Sequence, residues 1–266
     1  MKENKPTGPR SRWIDAGHLL GKGVGLIFTD RSGGCSPTPF DTLNLSYRAG
    51  DGNANVAKNR RIVAAELGIE PERFIYLKQV HGTSVRQAGT NDLGSPGSHR
   101  YEAFADIDGV YTALKLAPLA VLTADCIPLA LAAASQGVVA MLHAGWRGTI
   151  HNIAAEALSR IRTEFGIEPR EFHAVMGPGI APCCYRVDEG RARVFVEKYG
   201  ERSGVVLLQE DLRLDLFRAN RINLLEAGLN KENIYRVGGC TCCERGYFSY
   251  RREGRTGRQG AFVFLR

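Results

Sequence analysis

Short apolar runs separated by turn residues dominate the middle of the chain. Residues 119–122, 127–134 and 138–142 are almost wholly apolar and are bounded by polar residues or glycine. Runs of this length and setting predict buried β-strands. The connections between them are too short for crossovers, so part of the sheet is predicted to be antiparallel.

Apolar residues at helical spacing predict four helices, each followed by a glycine that can end it. They cover residues 55–67, 149–165, 187–199 and 215–227. Further strands are predicted at residues 26–29, 74–77, 110–112, 172–176, 234–237, 247–250 and 261–265. The regular alternation of strand and helix typical of parallel sheets is missing, as are internal repeats and linkers. We therefore predict one α+β domain over residues 21–266, with mixed β-sheets and outer helices, after a flexible tail of residues 1–20.

Composition is that of an ordinary globular protein. The chain has 266 residues, of which 44% are hydrophobic and 24% charged. No uncharged apolar stretch approaches the ~20 residues that a membrane helix needs. The first residues carry Lys and Arg but no apolar segment of the kind found in secretory signals, so a cytoplasmic location without membrane attachment is expected.

The formal net charge is +7, and much of it lies near the two chain ends. This charge permits binding of phosphate, nucleotides or nucleic acid. No homeodomain, zinc-finger, RNP or zipper pattern accompanies it. A small anionic substrate is therefore the preferred interpretation, and nucleic acid is not an expected partner.

Seven cysteines stand at positions 35, 126, 183, 184, 240, 242 and 243. In a reducing compartment such residues are buried hydrophobes, metal ligands or nucleophiles rather than disulfides. The Cys240–Cys243 cluster suggests zinc, but no histidine follows it. We interpret this cluster, and the pair Cys183-Cys184, as packing residues.

His81, Cys126 and His143 each follow or end an apolar run. Two imidazoles and a thiolate suit Zn²⁺, and copper is chemically plausible. Three protein ligands would leave a fourth position for water or substrate, as in catalytic zinc sites. Spacing alone also permits a second interpretation, in which Cys126 is a core thiol and the histidines are structural.

Two charged residues next to these ligands are further candidates. Asp125 could orient a histidine ligand, act as a base, or only cap a turn. Arg147 precedes the predicted helix 149–165, where backbone N–H groups favour anions, so it could complete a phosphate pocket. A solvated surface arginine is the alternative.

A series of motifs runs in order from about residue 26 to the end of the chain. They are Arg31-Ser-Gly-Gly, Leu43-Asn44-Leu45, Gly50-Asp51, Asn59-Arg60, Gln79-Val80-His81-Gly82, Ala124-Asp125-Cys126-Ile-Pro128, His143-Ala-Gly-Trp-Arg147-Gly148, Gly177-Pro178-Gly-Ile, Cys184-Tyr185, Cys240-Thr241, Phe248-Ser249-Tyr250-Arg251 and Thr256-Gly257-Arg258. The set resembles the YfiH family, also described as laccase-domain, multicopper polyphenol oxidase-like and FAMIN-related. Two departures are Cys35, in place of a small aliphatic residue, and Arg48, which is a candidate to alter the substrate pocket.

This resemblance implies a layered fold with mixed sheets and a metal site on His81, Cys126 and His143. It implies zinc-dependent phosphorolysis of purine nucleosides (adenosine, inosine, guanosine and methylthioadenosine) together with adenosine deamination. The expected partners are thus a purine nucleoside and phosphate, and a monomer is expected. The expected roles are catalysis for Asp125, Cys126 and Arg147, with Asp125 as acid or base. Arg147, together with Arg60 or Arg31, would hold the anionic oxygens, and Asn44 would contact the nucleoside.

Other functions fit the same residues. Copper-dependent phenol oxidation belongs to older descriptions of the family, but the His-x-His and His-Cys-His patterns of oxygen-reducing copper clusters are missing. A metal-free hydrolase with Cys126 as nucleophile is a second alternative. The family is also linked to editing of peptidoglycan precursors. A non-enzymatic binding module explains the candidate ligand set least well.

Overall fold

Two β-sheets packed face to face form the middle of the molecule, with helices on both outer sides. The computed structural model describes residues 13–93, 106–208 and 211–266. Thirteen strands are present among these residues. They are β1 (Ile14–Asp15), β2 (Val24–Phe28), β3 (Ile75–Tyr76), β4 (Val85–Gln87), β5 (Gly109–Thr112), β6 (Leu119–Thr123), β7 (Ile127–Ala133), β8 (Val138–Ala144), β9 (His173–Met176), β10 (Val206–Leu208), β11 (Leu212–Leu214), β12 (Ile234–Arg236) and β13 (Gln259–Leu265).

Six α-helices accompany the strands in the described ranges. They are α1 (Asn53–Leu67), α2 (Trp146–Ile150), α3 (Ile153–Phe165), α4 (Glu189–Tyr199), α5 (Leu216–Glu226) and α6 (Tyr250–Glu253). No helix in these ranges is long and apolar enough to cross a membrane.

Both large sheets are mixed. The five-stranded sheet has the order β1-β2-β13-β6-β3, and only β3 and β6 pair in parallel. The six-stranded sheet has the order β12-β9-β7-β8-β5-β4, with parallel pairs at its two edges and antiparallel pairs between them. A two-stranded ribbon, β10-β11, stands apart. The predicted α+β fold with mixed sheets and outer helices is confirmed.

The apolar strands are buried on both faces, which explains why their sequences do not alternate with polar residues. Along β7, Ala130 and Ala132 face the other sheet, whereas Leu129 and Leu131 pack against the helices. A third cluster fills the space between α1 and the outer face of the five-stranded sheet. The layers are therefore helix, sheet, sheet and helices, in that order.

Three local predictions are corrected by the structure. The helix predicted over residues 149–165 is two helices, since Asn152 has a left-handed backbone (φ 58°) and its side chain caps α3. The strand predicted at 247–250 is wrong: Ser249 caps the short helix α6 there, and its side chain accepts a hydrogen bond from the Arg252 N–H. The tail predicted over 1–20 is wrong for residues 13–20, where β1 pairs with β2 and Leu20 is buried, while residues 1–12 lie outside the described residues.

The segment between β6 and β7 carries the chain from one sheet to the other. Thr123 ends a strand of the five-stranded sheet, and Ile127 begins one of the six-stranded sheet. Asp125 and Cys126 lie in this short connection. The crossing therefore places both residues at an edge where the two sheets meet.

Candidate active site

His81, Cys126 and His143 come together although they lie far apart in sequence. Cys126 directly precedes β7, and His143 lies near the end of β8, which pairs with the start of β7. His81 lies in the loop between β3 and β4. One possible ligand atom from each of the three lies within 4.8 Å of the others, and the two imidazole centroids are 4.7 Å apart. We call these three residues the ligand trio.

The donor chemistry of the ligand trio fits a metal ion. Two imidazole nitrogens and one thiolate sulfur are ligands that zinc accepts readily, and copper also binds them. His143 is buried, Cys126 is half-buried and His81 is exposed, so the trio is reachable from one side. Three protein ligands with one open side is the arrangement of a catalytic rather than a structural zinc site.

Asp108 holds both histidines of the trio. Its Oδ1 accepts a hydrogen bond from the backbone N–H of His81 (2.9 Å) and lies 2.7 Å from Nδ1 of His143. Its Oδ2 accepts hydrogen bonds from the N–H groups of Val80 (3.2 Å) and Gly82 (2.6 Å). Burial opposes ionisation, but the hydrogen bond from His143 and the backbone donors lower the pKa of Asp108. With Nδ1 engaged in this way, Nε2 of His143 is left to act as the ligand.

The sequence analysis missed this residue and offered Asp125 as the carboxylate that could orient a histidine. The structure gives that position to Asp108, which is completely buried. A sequence signal existed: Asp108 stands directly before β5, the strand that pairs with β8, and an aspartate there is costly unless its charge is used.

The backbone around the trio is shaped for close approach. His81 has a left-handed conformation (φ 63°), which only the surrounding hydrogen bonds make acceptable for a non-glycine residue. A Cβ atom at Gly145 would lie 3.0 Å from Sγ of Cys126 and 3.5 Å from Cδ2 of His81. Glycine at this position therefore keeps the space beside the sulfur free.

Cys126 and His143 form a charge pair in the metal-free protein. Burial alone would raise the pKa of Cys126, but the charge and hydrogen bond of His143, with a hydrogen bond from His81, lower it to about 6. Burial alone would lower the pKa of His143, but Cys126 and Asp108 raise it to about 9. The thiolate required for metal binding is thus present at neutral pH.

The trio borders a cavity of about 550 Å³, within the range of small-molecule sites. Four arginines line this cavity, namely Arg48, Arg147, Arg251 and Arg258. Asp125 is the one carboxylate among the lining residues. The cavity is therefore cationic, which favours an anionic ligand.

The cavity wall also has apolar and aromatic parts. Leu77, Leu122 and Leu216 line it together with the rings of Trp146 and Tyr185. A flat ring and a charged group could bind side by side in such a site, because the aromatic faces and the guanidinium groups meet in one cavity.

A family model described as multi-copper polyphenol oxidoreductase laccase matches residues 25–266. The chain belongs to this family. The match covers every residue of the ligand trio and of the cavity, and it agrees with the resemblance that the sequence motifs indicate.

Characterised relatives of this laccase-like chain carry another activity in their names. It is 35% identical over 256 residues to the purine nucleoside phosphorylase YlmD of Geobacillus stearothermophilus, covering 94% of this chain and 93% of the relative. It is 38% identical over 239 residues to a purine nucleoside phosphorylase of Deinococcus radiodurans, covering 90% and 88%. The crystal structure of the Geobacillus protein superimposes with a TM-score of 0.90 at 34% identity, over 98% of each chain. That of YfiH from Bacillus licheniformis gives 0.86 at 33% identity, over 91% of this chain and 93% of the other.

Asp125 borders the cavity, but its carboxylate already holds two neighbours. Oδ1 accepts a hydrogen bond from the Thr241 hydroxyl (2.7 Å), and Oδ2 accepts one from the backbone N–H of Arg251 (2.6 Å). Its carbonyl oxygen accepts from the N–H of Ile180 (2.7 Å), and its φ is 100°. Asp125 therefore fixes three neighbouring segments while facing the cavity, which is more than the turn cap that the sequence permitted.

Arg147 lies in the first turn of α2, exposed, with its guanidinium 4.5 Å from the centre of the Trp146 ring. It lines the cavity, as the sequence predicts. The departure from the family pattern at Arg48 also reaches the cavity. The two arginines enter from different layers of the fold.

Arg31 and Arg60, expected to hold anionic oxygens, are not among the lining residues. Arg31 is paired with Asp41 and Glu253. Arg60 is buried, lies over the Tyr76 ring (3.5 Å) and donates through Nε to a backbone carbonyl. Both guanidinium groups thus have structural partners. Arg251 and Arg258 also donate to backbone carbonyls, but they line the same cavity as Arg147.

Asn44, expected to contact the nucleoside, is completely buried and also lies outside the cavity wall. Its Nδ2 donates to Asp51 (3.0 Å) and to the Ser46 carbonyl (3.2 Å). Its Oδ1 accepts from the N–H groups of Ser46 and Arg258 (3.0 Å each). All four hydrogen-bonding positions of the amide are used. Asn44 therefore acts through Ser46 and Arg258, which do line the cavity.

Proposed function

We propose that this chain is a zinc-dependent purine nucleoside phosphorylase. The observation that carries the proposal is the ligand trio on the wall of a cationic, partly aromatic cavity. A site that binds phosphate must offer positively charged side chains, and a site that binds a purine must offer flat apolar surfaces. The printed names of the relatives support the same activity.

The arginines of the cavity are the proposed phosphate ligands. Arg147 reaches it from the first turn of α2, Arg48 from the segment before α1, and Arg251 and Arg258 from the C-terminal segment. One guanidinium group can donate two parallel hydrogen bonds to the oxygens of a phosphate. Several arginines together can therefore hold phosphate in one orientation. The rings of Trp146 and Tyr185 are the proposed surfaces for the purine.

In phosphorolysis a phosphate oxygen attacks C1′ of the ribose, the bond from C1′ to the purine nitrogen breaks, and the purine leaves with a proton. A zinc ion bound by the ligand trio supplies Lewis-acid polarisation of an oxygen atom. Asp125 is our candidate for the proton-transferring group, because its carboxylate borders the cavity and Thr241 fixes its orientation. Asp108 holds His143 and the backbone of His81 in place while these steps occur.

Adenosine deamination is the second activity that we propose for the same cavity. Water adds at C6 of the purine and ammonia leaves, so the site needs a metal and a proton-transferring group but no phosphate. The substrates proposed for phosphorolysis are adenosine, inosine, guanosine and methylthioadenosine. A monomeric state and a cytoplasmic location stay predictions.

Copper-dependent phenol oxidation is the alternative suggested by the family description. The chain has six histidines, and within the described residues two of them converge with a cysteine. Clusters of several copper ions need more imidazoles close together. A metal-free Cys126 hydrolase, acting for example on peptidoglycan precursors, is the other alternative. Alkylation would block that enzyme, whereas a chelator would not.

The test is base release from adenosine and inosine, with and without phosphate, on protein of measured metal content. We expect phosphate-dependent release that is lost with the metal and lost in Cys126→Ala. Cys35→Ala, a half-buried cysteine remote from the trio, is the matched control. No turnover of either nucleoside by protein that holds metal on the trio would refute the proposal.

A further inference from the structure

A second group of possible metal ligands lies outside the cavity. The Sγ atoms of Cys183, Cys184, Cys240 and Cys243 all lie within 4.8 Å of one another. We call these four residues the thiol tetrad. The proposed nucleoside chemistry does not use them.

The predicted packing role is confirmed for Cys240, which lies in the core, and for Cys184 and Cys242, which pack against it, but it does not account for the other two cysteines. Cys183 and Cys243 are exposed, and Cys240 is the one fully buried member. An exposed thiol contributes nothing to a core. The separation of Cys240 from Cys243 is also the two-residue gap of a zinc knuckle, a signal that the interpretation as packing discounts.

The fold brings the four sulfurs together through two adjacent turns. The strands β9 and β12 are parallel neighbours, so the segments that follow them leave the sheet at the same edge. A bridge between Gly179 and Cys240 keeps these segments side by side. In the first turn the N–H of Cys184 donates to the Ala181 carbonyl, and in the second the N–H of Cys243 donates to the Cys240 carbonyl.

The spacing of the sulfurs suits one ion. Sγ of Cys243 lies 3.4 Å from that of Cys183 and 3.3 Å from that of Cys184. In a tetrahedral zinc site with Zn–S bonds of about 2.3 Å, neighbouring sulfurs are about 3.8 Å apart. A small outward movement of the two turns would thus give tetrahedral coordination. A single disulfide would leave two of the four thiols without a role.

The surroundings of Cys240 favour its thiolate, whereas burial and the neighbouring thiols raise the pKa of Cys183 and Cys184 in the absence of an ion. The N–H of Ala181 donates to Sγ of Cys240 (3.4 Å), and such bonds stabilise sulfur ligands. Arg252 donates through Nη1 to the carbonyls of Thr241 (2.8 Å) and Cys242 (3.0 Å), and Arg213 donates to the Cys183 carbonyl. These bonds fix the backbone of both turns, while the two guanidinium groups also pair with Glu253 and Asp211.

We propose that the thiol tetrad binds one zinc ion in a closed structural site. Four protein ligands leave no open position, so this ion does no chemistry itself. It ties the turn that ends at Tyr185 to the turn that contains Thr241. Tyr185 lines the cavity and Thr241 holds Asp125, so the ion stabilises one wall of the proposed active site.

Metal analysis of purified full-length protein tests the proposal separately from the catalytic one. Cys126→Ala removes a ligand of the trio, so zinc that stays bound to this variant reports the tetrad alone. We expect about two zinc ions per chain in the parent protein and about one in Cys126→Ala. We expect about one in Cys243→Ser, and essentially none when both changes are combined.

Cys242→Ser is the matched control, because Cys242 lies in the same turn but outside the tetrad. It should keep both ions. Cobalt loaded into Cys126→Ala should give the strong thiolate-to-metal absorption of a sulfur-only site, and Cys243→Ser should weaken it. This second measurement on folded Cys126→Ala covers the case in which Cys243→Ser does not fold.

Two results would overturn the proposal. One is Cys126→Ala without bound zinc and without cobalt absorption under reducing conditions. The other is a Cys183–Cys243 or Cys184–Cys243 disulfide in the protein as isolated from a reducing cell, detected by mass spectrometry after alkylation. Either result leaves the phosphorolysis experiment unaffected, because that experiment reads the ligand trio.

Discussion

The ligand trio and the thiol tetrad are two sets of side chains that could bind a metal ion, and they differ in number and in access. The trio has three ligands from three distant segments and opens onto a cavity of about 550 Å³. The tetrad has four ligands from two adjacent turns and borders no described cavity. A missing fourth ligand allows substrate to approach, whereas a complete set favours a purely structural role.

The trio and the tetrad also differ in the neighbouring groups that hold their ligands. A buried carboxylate, Asp108, holds both histidines of the trio, so their positions are fixed before any metal binds. The tetrad has backbone donors and arginines around it but no carboxylate partner on a ligand. The histidines of the trio are thus held through a side-chain partner, whereas the two turns of the tetrad are held through backbone contacts.

The largest expected effect comes from removing the trio's sulfur. Cys126→Ala should lower phosphorolysis by about a thousandfold or more, since it removes a metal ligand, and it should leave the tetrad loaded. Base release from inosine measures the loss of activity, and the zinc content per chain measures whether the tetrad stays loaded. If the variant still turned over inosine without metal on the trio, the trio would not be the catalytic metal site, and the proposed difference between the two sites would be wrong.

Asp108→Asn should lower the metal affinity of the trio, or the activity of the enzyme, by about 10- to 100-fold. The amide cannot accept all the hydrogen bonds that the two carboxylate oxygens accept from the N–H groups of residues 80–82 and from His143. Chelator competition measures the affinity. Asp106→Asn is the matched control, because Asp106 is exposed and pairs with Lys78. Equal effects of the two changes would contradict the role of Asp108.

The lowered pKa of Cys126 predicts the pH dependence of its alkylation in chelator-treated protein. The thiolate reacts, so a pKa of about 6 keeps the rate on its plateau at pH 7 and lets it fall only as the pH drops through about 6. His143→Gln should move this midpoint upward by removing the charge partner. Peptide mass spectrometry follows Cys126 separately from the other cysteines. A midpoint near the usual 8.5 in the parent protein would show that no ion pair forms.

The smallest expected effect concerns the hydrogen bond from Thr241, in a turn of the tetrad, to Asp125, beside the trio. Thr241→Val leaves Oδ1 of Asp125 without its hydroxyl donor and should lower kcat/KM about tenfold, because a buried oxygen that loses its hydrogen bond is costly and the carboxylate is then held through Oδ2 alone. Thr241→Ser should restore most of the activity, and both variants should keep the full zinc content. Loss of zinc in Thr241→Val would mean that the hydroxyl supports the tetrad's turn rather than Asp125.

The sequence predicted elements well where the apolar pattern was continuous. The buried strands β6, β7 and β8 and the helices ending at glycines match the structure to within a few residues. The prediction of secondary structure was wrong where side-chain hydrogen bonds to the backbone override the apolar pattern. Asn152 interrupts one helix by capping the next, and Ser249 turns a predicted strand into the start of α6.

Substrate contacts were harder to predict than metal ligands. Arginine and asparagine bind substrates and stabilise loops with the same groups, so a sequence motif does not separate the two uses. Asn44 and Arg31 hold neighbouring segments and do not line the cavity, whereas Arg251 and Arg258 both hold neighbouring segments and line it. Only the positions of neighbouring segments distinguish these cases.

The sequence by itself predicted the layered α+β fold, the family, and the convergence of His81, Cys126 and His143 as one candidate ligand set. These follow from apolar periodicity and from motifs whose chemistry is local. The tertiary structure alone decided that Asp108 holds the histidines, that four arginines face the cavity, and that four cysteines from two turns converge. Such arrangements join residues that are tens to about two hundred positions apart, and the distances between them are set by strand pairing and sheet packing rather than by spacing along the chain.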